Sequence, residues 1–382
     1  MKDNPQFISK FFPFNKDTFI SYPTIVTLFT AILVVGFIGF YQVESAEAQA
    51  TITNSISEIS NGNVTRVVLF ALDAVVRFSP DNQVKPGGVS YEAMTFNGTV
   101  PGPWISVNQG DVLEITLVNQ ADAIHSLDLH AAYGSTQALS GSIDPGQNKT
   151  LRMKADYPGV FMYYCDGDNL NGIWEHIANG MYGGIIVHPK NEKAAKEFHM
   201  IFSEVFNSAD KGYFVGTEGK IVSFDFNKFI ANKPDLILTN GMAYKYMPFF
   251  GGQAKIQLNM DAQKFNIRPG ELTRWYVINA GPRGNVAFNF AGGLINENPI
   301  GNSSSKFSEN HKTNSQSKIY EISIPPGSGN AIEAVFPEEG TYFGNDHDLG
   351  RVLGGAGFVV LASRNSTSED HSSGALQIDK LW

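Results

Sequence analysis

The chain has 382 residues, which is enough for two sandwich-sized domains and some additional segments. Its formal net charge of −9 argues against a nucleic-acid partner, because nucleic-acid-binding proteins carry basic patches. The 38 glycines and 18 prolines, with 42% hydrophobic residues, favour a turn-rich β protein with a sizeable core over a helical one.

The N-terminal part has the composition of an export segment. Residues 24–41 form an uncharged apolar run, and Ala46 and Ala48 give the small-x-small pattern of a signal-peptidase site. The run is also near the length that spans a bilayer, so residues 1–48 are interpreted as a signal peptide or a membrane anchor. Both alternatives place the rest of the chain outside the cytoplasm, either secreted or anchored and facing outward. Residues 49–65, which are polar and small, are interpreted as a linker.

From residue 66 onward, short apolar runs alternate with glycine, proline, asparagine and aspartate. Residues 67–72, 112–118 and 184–187 are three such runs, and each predicts a β-strand. Many short strands separated by turn residues are typical of a β-sandwich. The sequence therefore predicts an all-β protein.

The second half of the chain repeats segments of the first half in the same order. The matching segments are 109–113 with 269–273, 158–161 with 339–342, and 183–187 with 355–359. Ordered matches of this kind indicate two copies of one fold. We therefore predict one domain over residues 66–190, a linker and a second domain over 191–362, and a Ser-rich tail over 363–382.

The single cysteine of the chain, Cys165, lies at the end of a predicted strand. His176 and Met181 follow it closely, and His125 ends an earlier predicted strand. Two imidazoles and a thiolate with a weak axial methionine are the ligand set of a type 1 copper site. A lone cysteine in an exported protein has no internal disulfide partner, so it is either inert or has another task. From the ligand types and their order, we predict that these four residues bind one type 1 copper.

Three segments resemble copper-containing nitrite reductase, within the wider multicopper oxidase family. They are residues 96–103, 124–132 and 176–183. The resemblance implies two tandem cupredoxin domains, which are Greek-key β-sandwiches, and a homotrimer. It also implies a small redox protein as electron donor, a type 1 copper that passes electrons to a type 2 copper at a subunit interface, and reduction of nitrite to nitric oxide there.

The resemblance carries over to the second copper site only in part. It matches His130 and His347 to two of the three family histidines, but Tyr164 stands where the third is expected. A phenol with a pKa near ~10 is a poor copper ligand at neutral pH. Asp128 matches the catalytic aspartate, whereas Asn289 stands in place of the catalytic histidine and cannot relay a proton near neutral pH.

Two functional hypotheses follow from these departures. The chain is either an extracytoplasmic oxidoreductase of the nitrite reductase type, or a type 1 copper-only electron-transfer protein whose second site is degraded. An oxygen-reducing oxidase is disfavoured, because its trinuclear cluster uses His-x-His pairs and no two histidines here are separated by one residue. The loop between Cys165 and His176 contains Asp166, Asp168 and Trp174, and it is interpreted as part of a solvated rim or a docking face.

Overall fold

The computed structural model describes residues 63–132, 141–167, 172–208, 220–251, 256–291, 295–296 and 318–366. The predicted signal peptide or anchor, all but the last residues of the predicted linker and most of the predicted tail lie outside these residues. Within the described ranges, no helix is long and apolar enough to cross a bilayer.

The described residues form mainly β-strands, joined by three short helices. The strands are β1 (Val64–Ser79), β2 (Val89–Phe96), β3 (Ile105–Asn108), β4 (Val112–Asn119), β5 (Asp128–Leu129), β6 (Asn148–Lys154), β7 (Gly159–Tyr164), β8 (Tyr182–His188), β9 (Lys196–Val205), β10 (Lys220–Val222), β11 (Leu236–Thr239), β12 (Phe249–Phe250), β13 (Gln257–Leu258), β14 (Phe265–Ile267), β15 (Leu272–Gly281), β16 (Val286–Ala291), β17 (Ile295–Asn296), β18 (Lys318–Ile319), β19 (Glu321–Ile324), β20 (Ser328–Val335), β21 (Gly340–Asp346) and β22 (Gly357–Ala362). The helices are α1 (Ile173–Ala178), α2 (Phe226–Ile230) and α3 (Leu349–Leu353). The three apolar runs that predict strands lie within β1, β4 and β8.

The first sandwich consists of two sheets with the strand orders β10-β2-β1-β4-β6 and β3-β8-β7-β5. Side chains alternate between the two faces of a strand, so the inward positions of β1 and β4 supply apolar residues to one core. That core includes Leu69, Leu113, Ile115, Ile185 and the Cys165 side chain. The candidate metal ligand therefore lies inside the first sandwich.

The second sandwich repeats this arrangement. Its sheets have the orders β11-β9-β15-β20-β17-β18 and β14-β22-β21-β16-β19. In both copies the longest sheet has a parallel central pair, β1 with β4 and β9 with β15, flanked by antiparallel strands. The predicted duplication and the all-β, two-sandwich fold are confirmed.

One turn shows the duplication at the level of single residues. Asn97 and Asn240 both adopt a positive φ, 60° and 51°, and each precedes a glycine. The Oδ1 atom of Asn97 accepts a hydrogen bond from Phe70 N at 2.7 Å, and that of Asn240 accepts one from Ile201 N at 2.8 Å. Asparagine tolerates this backbone conformation and hydrogen-bonds nearby main chain, so both copies use the same device to end a strand.

The two sandwiches share a continuous apolar interface. Side chains from both, including Val100 and Val160 from the first and Ile278 and Ala331 from the second, belong to one buried cluster. Strand β10, which follows β9 in the sequence, pairs in parallel with β2 of the first sandwich, a contact between the two sandwiches that the sequence pattern does not predict.

A buried ion cluster anchors α3 in the second sandwich. Arg351 Nη1 contacts Glu204 Oε1 and Arg351 Nε contacts Asp346 Oδ2, and all three side chains are buried. Glu204 also accepts hydrogen bonds from Arg283 N and Gly284 N, both at lengths near 2.8 to 3.0 Å. The guanidinium thus neutralises two carboxylates that water does not reach.

We expect Arg351→Met to destabilise the protein by about 3–5 kcal/mol, because it leaves two buried carboxylates without a cation. The free energy of unfolding in urea, measured by circular dichroism, checks this expectation. Arg66→Ala is the matched control, since Arg66 forms an exposed pair with Glu114 and its loss should change stability by about 1 kcal/mol or less. Equal effects of the two substitutions would contradict the stabilising role of the buried cluster.

Candidate metal centre

The predicted ligands are brought together by the ends of β7 and β8. These strands are antiparallel neighbours in which Tyr164 pairs with Tyr182, so Cys165, just after β7, faces Met181, just before β8. Cys165 N donates a hydrogen bond to Met181 O at 3.1 Å, and Met181 N donates one to His176 O at 3.0 Å. Helix α1 carries His176 in the loop between the two strands.

His125 approaches from the opposite segment of the sandwich. Its backbone forms an isolated β-bridge with Ile143. The Cys165 Sγ atom lies 3.1 Å from His176 Nδ1 and 3.5 Å from His125 Nδ1, and the two Nδ1 atoms are 3.2 Å apart. Three ligand atoms, two nitrogens and one sulfur, therefore converge on one point.

This convergence takes place in a nearly dry environment. Cys165 is 0% exposed, His125 1%, His176 8% and Met181 0%. Lone pairs that face each other in a buried pocket repel one another unless a proton or a cation lies between them. Two imidazoles, a soft thiolate and a nearby thioether fit a transition metal ion, and together they form the candidate metal centre of this chain.

The protonation states favour metal binding at neutral pH. Burial, with His176 as a second cause, lowers the pKa of His125 to about 4, and burial also lowers the pKa of His176. Both imidazoles are therefore neutral near pH 7 and can donate a lone pair. Burial raises the pKa of the Cys165 thiol to about 11, although N–H groups of Ser126 and Gly167 oppose this shift. Only a bound cation would convert this thiol to a thiolate at neutral pH.

Asp166 is buried, so the interpretation of this residue as part of a solvated rim is wrong, whereas Asp168 lies outside the described residues. The Asp166 side chain is 3% exposed and contacts the hydroxyl of Ser126 inside the sandwich. Trp174, on α1, packs against the rings of Phe224 and Phe229. The charge of an aspartate favours an exposed position. Here the buried Ser126 hydroxyl, on a distant segment, donates a hydrogen bond to Asp166 and accounts for its burial.

Tyr164, Asp128 and His130 form a second polar group on the opposite face of β7. Tyr164 pairs in register with Asp128 of β5, and its hydroxyl donates a hydrogen bond to Asp128 Oδ2 at 2.7 Å. His130 Nε2 lies 3.3 Å from the same hydroxyl, and His130 Nδ1 lies 2.9 Å from Gly327 O. Burial and the Asp128 carboxylate raise the pKa of Tyr164 further above that of a free phenol. Both ring nitrogens of His130 therefore have partners within this chain.

The remaining predicted site residues lie in the second sandwich. His347 directly follows β21, is 46% exposed on its side chain, and places Nδ1 2.6 Å from Glu321 Oε2. Asn289, on β16, is buried and pairs in register with Asn345 of β21 and Glu321 of β19. The structure thus brings together the four predicted type 1 ligands, and it leaves His347 and Asn289 apart from them.

In the described part of the chain, one other group of His, Cys, Asp and Glu side chains has ligand atoms within 4.8 Å of one another. It consists of His188, Glu192 and Glu197. The Arg274 guanidinium lies 3.3 Å from Glu192 Oε1 and 3.2 Å from Glu197 Oε1. This guanidinium already supplies the positive charge, so the group fits an ion-pair network rather than a metal site.

Comparisons with known proteins agree with the fold. A family model described as multicopper oxidase matches residues 79–192. Copper-containing nitrite reductase from Neisseria meningitidis serogroup A is 30% identical over 274 residues, which is 70% of this chain and 62% of that protein. The protein of the same description from Alcaligenes xylosoxydans xylosoxydans is 43% identical over 110 residues, 27% of this chain and 32% of that protein. The chain thus spans less than two thirds of the length of either relative.

A solved structure of copper nitrite reductase from Nitrosomonas europaea superposes with a TM-score of 0.64 and 29% identity, covering 80% of this chain and 96% of that one. The copper-containing nitrite reductase of Thermus scotoductus has the same fold, with a TM-score of 0.61, 24% identity, and coverage of 80% of this chain and 63% of that one. The paired sandwiches and these similarities together show that the chain has a two-domain cupredoxin fold similar to that of copper-containing nitrite reductases.

Proposed function

We propose that this chain is an extracytoplasmic copper protein that transfers single electrons through a type 1 copper held by His125, Cys165, His176 and Met181. The observation that carries the proposal is the convergence of His125 Nδ1, His176 Nδ1 and Cys165 Sγ in one buried pocket. Copper bound there would alternate between Cu(II) and Cu(I) by gaining and losing one electron. Residues 24–41 would act as the export signal or anchor.

The protein residues supply a nearly fixed geometry for this exchange. The ligands are tied by backbone hydrogen bonds at the ends of paired strands, so the pocket keeps its shape when the charge changes. Soft sulfur ligands favour the reduced ion, and imidazoles accommodate the oxidised ion. His176, which is more exposed than His125, is the side chain through which we expect a small redox protein to deliver electrons.

The destination of the electron depends on Tyr164. In this chain the Tyr164 hydroxyl lies between Asp128 and His130. We infer that it takes the place of the histidine nitrogen that a second metal would need. This arrangement favours electron transfer without a second copper, because His130 already contacts the phenol and the carbonyl oxygen of Gly327. We therefore place type 1 electron transfer first among the candidate functions.

Reduction of nitrite to nitric oxide is the second candidate function. Two observations favour it: the similar proteins are copper-containing nitrite reductases, and Asp128 and His130 both contact the Tyr164 hydroxyl. It would require a type 2 copper held by His130, by His347 from a neighbouring subunit of a homotrimer, and by Tyr164 as an oxygen ligand. Asn289 would then supply a hydrogen bond, but not a proton, to the bound substrate.

Metal content separates the two candidates. For electron transfer alone, we expect roughly one copper per purified chain, all of it contributing to an intense thiolate-to-copper absorption. Cys165→Ser should remove that absorption. Elemental analysis combined with optical and electron paramagnetic resonance spectroscopy makes the measurement. A second copper with a type 2 resonance would instead support nitrite reduction, and absence of copper and of the absorption band would refute both candidates.

Substitution of Tyr164 tests the role of the phenol directly. We expect Tyr164→His to raise the copper content to roughly two per chain and to create or increase nitrite turnover, because a nitrogen ligand replaces the hydroxyl. Tyr164→Phe is the matched control, since it removes the hydroxyl without adding a ligand, and it should leave copper content unchanged. If Tyr164→His also leaves copper content unchanged, Tyr164 does not lie in a latent metal site.

The metal-free protein should lose stability as the pH falls from about 6.5 to about 4. His125, His176 and His199 have lowered pKa values in the folded chain, the first and last to about 4, all chiefly through burial. The unfolded chain therefore binds more protons in this range, so acid favours unfolding. Urea midpoints measured at several pH values with metal removed test this expectation. A midpoint that does not fall over this range would contradict it.

A further inference from the structure

We propose that Ser126 and Asp166 form a clamp that holds two backbone N–H groups against the Cys165 sulfur and thereby sets the reduction potential of the metal centre. The inference rests on the proposed copper function, but the clamp itself is a feature of the protein without metal. Ser126 and Asp166 act through other groups, so they are positioning residues.

The Cys165 sulfur accepts hydrogen bonds from two different segments. Ser126 N lies 3.3 Å from Sγ, and Gly167 N lies 3.4 Å from it. Ser126 directly follows His125 on one side of the pocket, whereas Gly167 lies just beyond β7 on the other side. The two donors keep their distances to the sulfur only if these segments keep a fixed separation.

The Ser126 side chain bridges the two segments. Its Oγ atom contacts Asp166 Oδ1 and lies 3.0 Å from Gly167 O, so the hydroxyl proton has two acceptors on the opposite loop. Ser126 and Asp166 are 1% and 3% exposed. A carboxylate buried this deeply is costly unless it is hydrogen-bonded, and Ser126 provides that bond.

The backbone of Gly167 fits the same arrangement. Its φ of +67° lies in the left-handed region, and a Cβ atom there would come within 2.9 Å of Gly172 Cα. Glycine therefore lets the loop turn sharply after Asp166 and direct its N–H group toward the sulfur. Three consecutive residues, Cys165 to Gly167, thus supply the sulfur, one half of the clamp and one of the two donors.

The expected consequence for the metal follows from simple electrostatics. An N–H group that donates to a thiolate withdraws electron density from the sulfur, which favours the reduced, less positively charged ion. Groups outside the direct ligands tune metal centres in this way. Loosening the clamp should lengthen both N–H to sulfur contacts and lower the reduction potential.

The first test compares Ser126→Ala with the wild type in the copper-loaded full chain. Neither serine nor alanine carries a charge, so the substitution removes the hydroxyl without adding or removing a charged side chain. We expect the equilibrium constant for reduction by a mediator to fall at least tenfold, a shift of about 59 mV for a one-electron couple. Ser106→Ala is the matched control, because Ser106 Oγ contacts His188 rather than this pocket, and it should leave the potential unchanged. Equal potentials for Ser126→Ala and the wild type would overturn the proposal.

The second test uses the metal-free protein, so it does not depend on copper binding. Asp166→Asn keeps an oxygen acceptor for the Ser126 hydroxyl, whereas Asp166→Ala removes it. We expect amide hydrogen exchange at Ser126 and Gly167 to be at least tenfold faster in Asp166→Ala than in Asp166→Asn, with both variants folded by circular dichroism. Equal exchange in the two variants would overturn the clamp. A wild type without copper absorption but with the exchange difference would refute the proposed function and retain the clamp.

Discussion

The complete burial of the Cys165 sulfur is the constraint on which the first sandwich depends. A thiol at this depth, with its pKa raised to about 11, becomes an anion only beside a cation. The strands at this end of the sandwich hold two neutral imidazoles within 3.5 Å of the sulfur, so three electron-pair donors share one small volume. Hydrophobic packing around the pocket excludes water, which makes the interaction of these donors with a metal ion stronger than it would be in solution.

Consecutive side chains of β7 and its extension face two different environments. Tyr163 and Cys165 point into the core of the first sandwich, whereas Tyr164 packs against the cluster shared with the second sandwich. The alternation of a β-strand therefore places the metal pocket and the Tyr164, Asp128 and His130 group on opposite sides of one backbone segment. Only one peptide unit separates the two groups, so under the proposed function residue 164 is the direct link between the Cys165 pocket and the Tyr164, Asp128 and His130 group.

The sequence contains enough information for the sandwiches and the metal pocket, because turn residues, strand alternation and ligand order are local patterns. The four predicted type 1 ligands lie near the ends of neighbouring strands, and their side chains are few and chemically distinctive. Other features depend on contacts that local patterns do not encode. The burial of Asp166 depends on Ser126 from another segment. The pairing of β10 depends on a segment after β9 returning to the first sandwich. The charge of Asp166 does not predict that Ser126 is its partner, and the sequence of β10 does not predict that it pairs with β2.

The duplication relates the buried ion cluster of the second sandwich to the candidate metal centre of the first. In the first copy, Cys165 N donates a hydrogen bond to Met181 O (3.1 Å), and Met181 N donates one to His176 O (3.0 Å). In the second copy, Asp346 N donates to Ala356 O (3.2 Å), and Ala356 N donates to Arg351 O (3.1 Å). Asp346 therefore occupies the position of Cys165, and Arg351 that of His176. Both copies bury a potential anion at the end of the same strand, and both need a cation beside it. In the second copy the cation is the Arg351 guanidinium, which also neutralises Glu204. Each sandwich thus needs a cation beside the buried group at the same position. In the second sandwich a side chain supplies that cation, and in the first a metal ion can supply it.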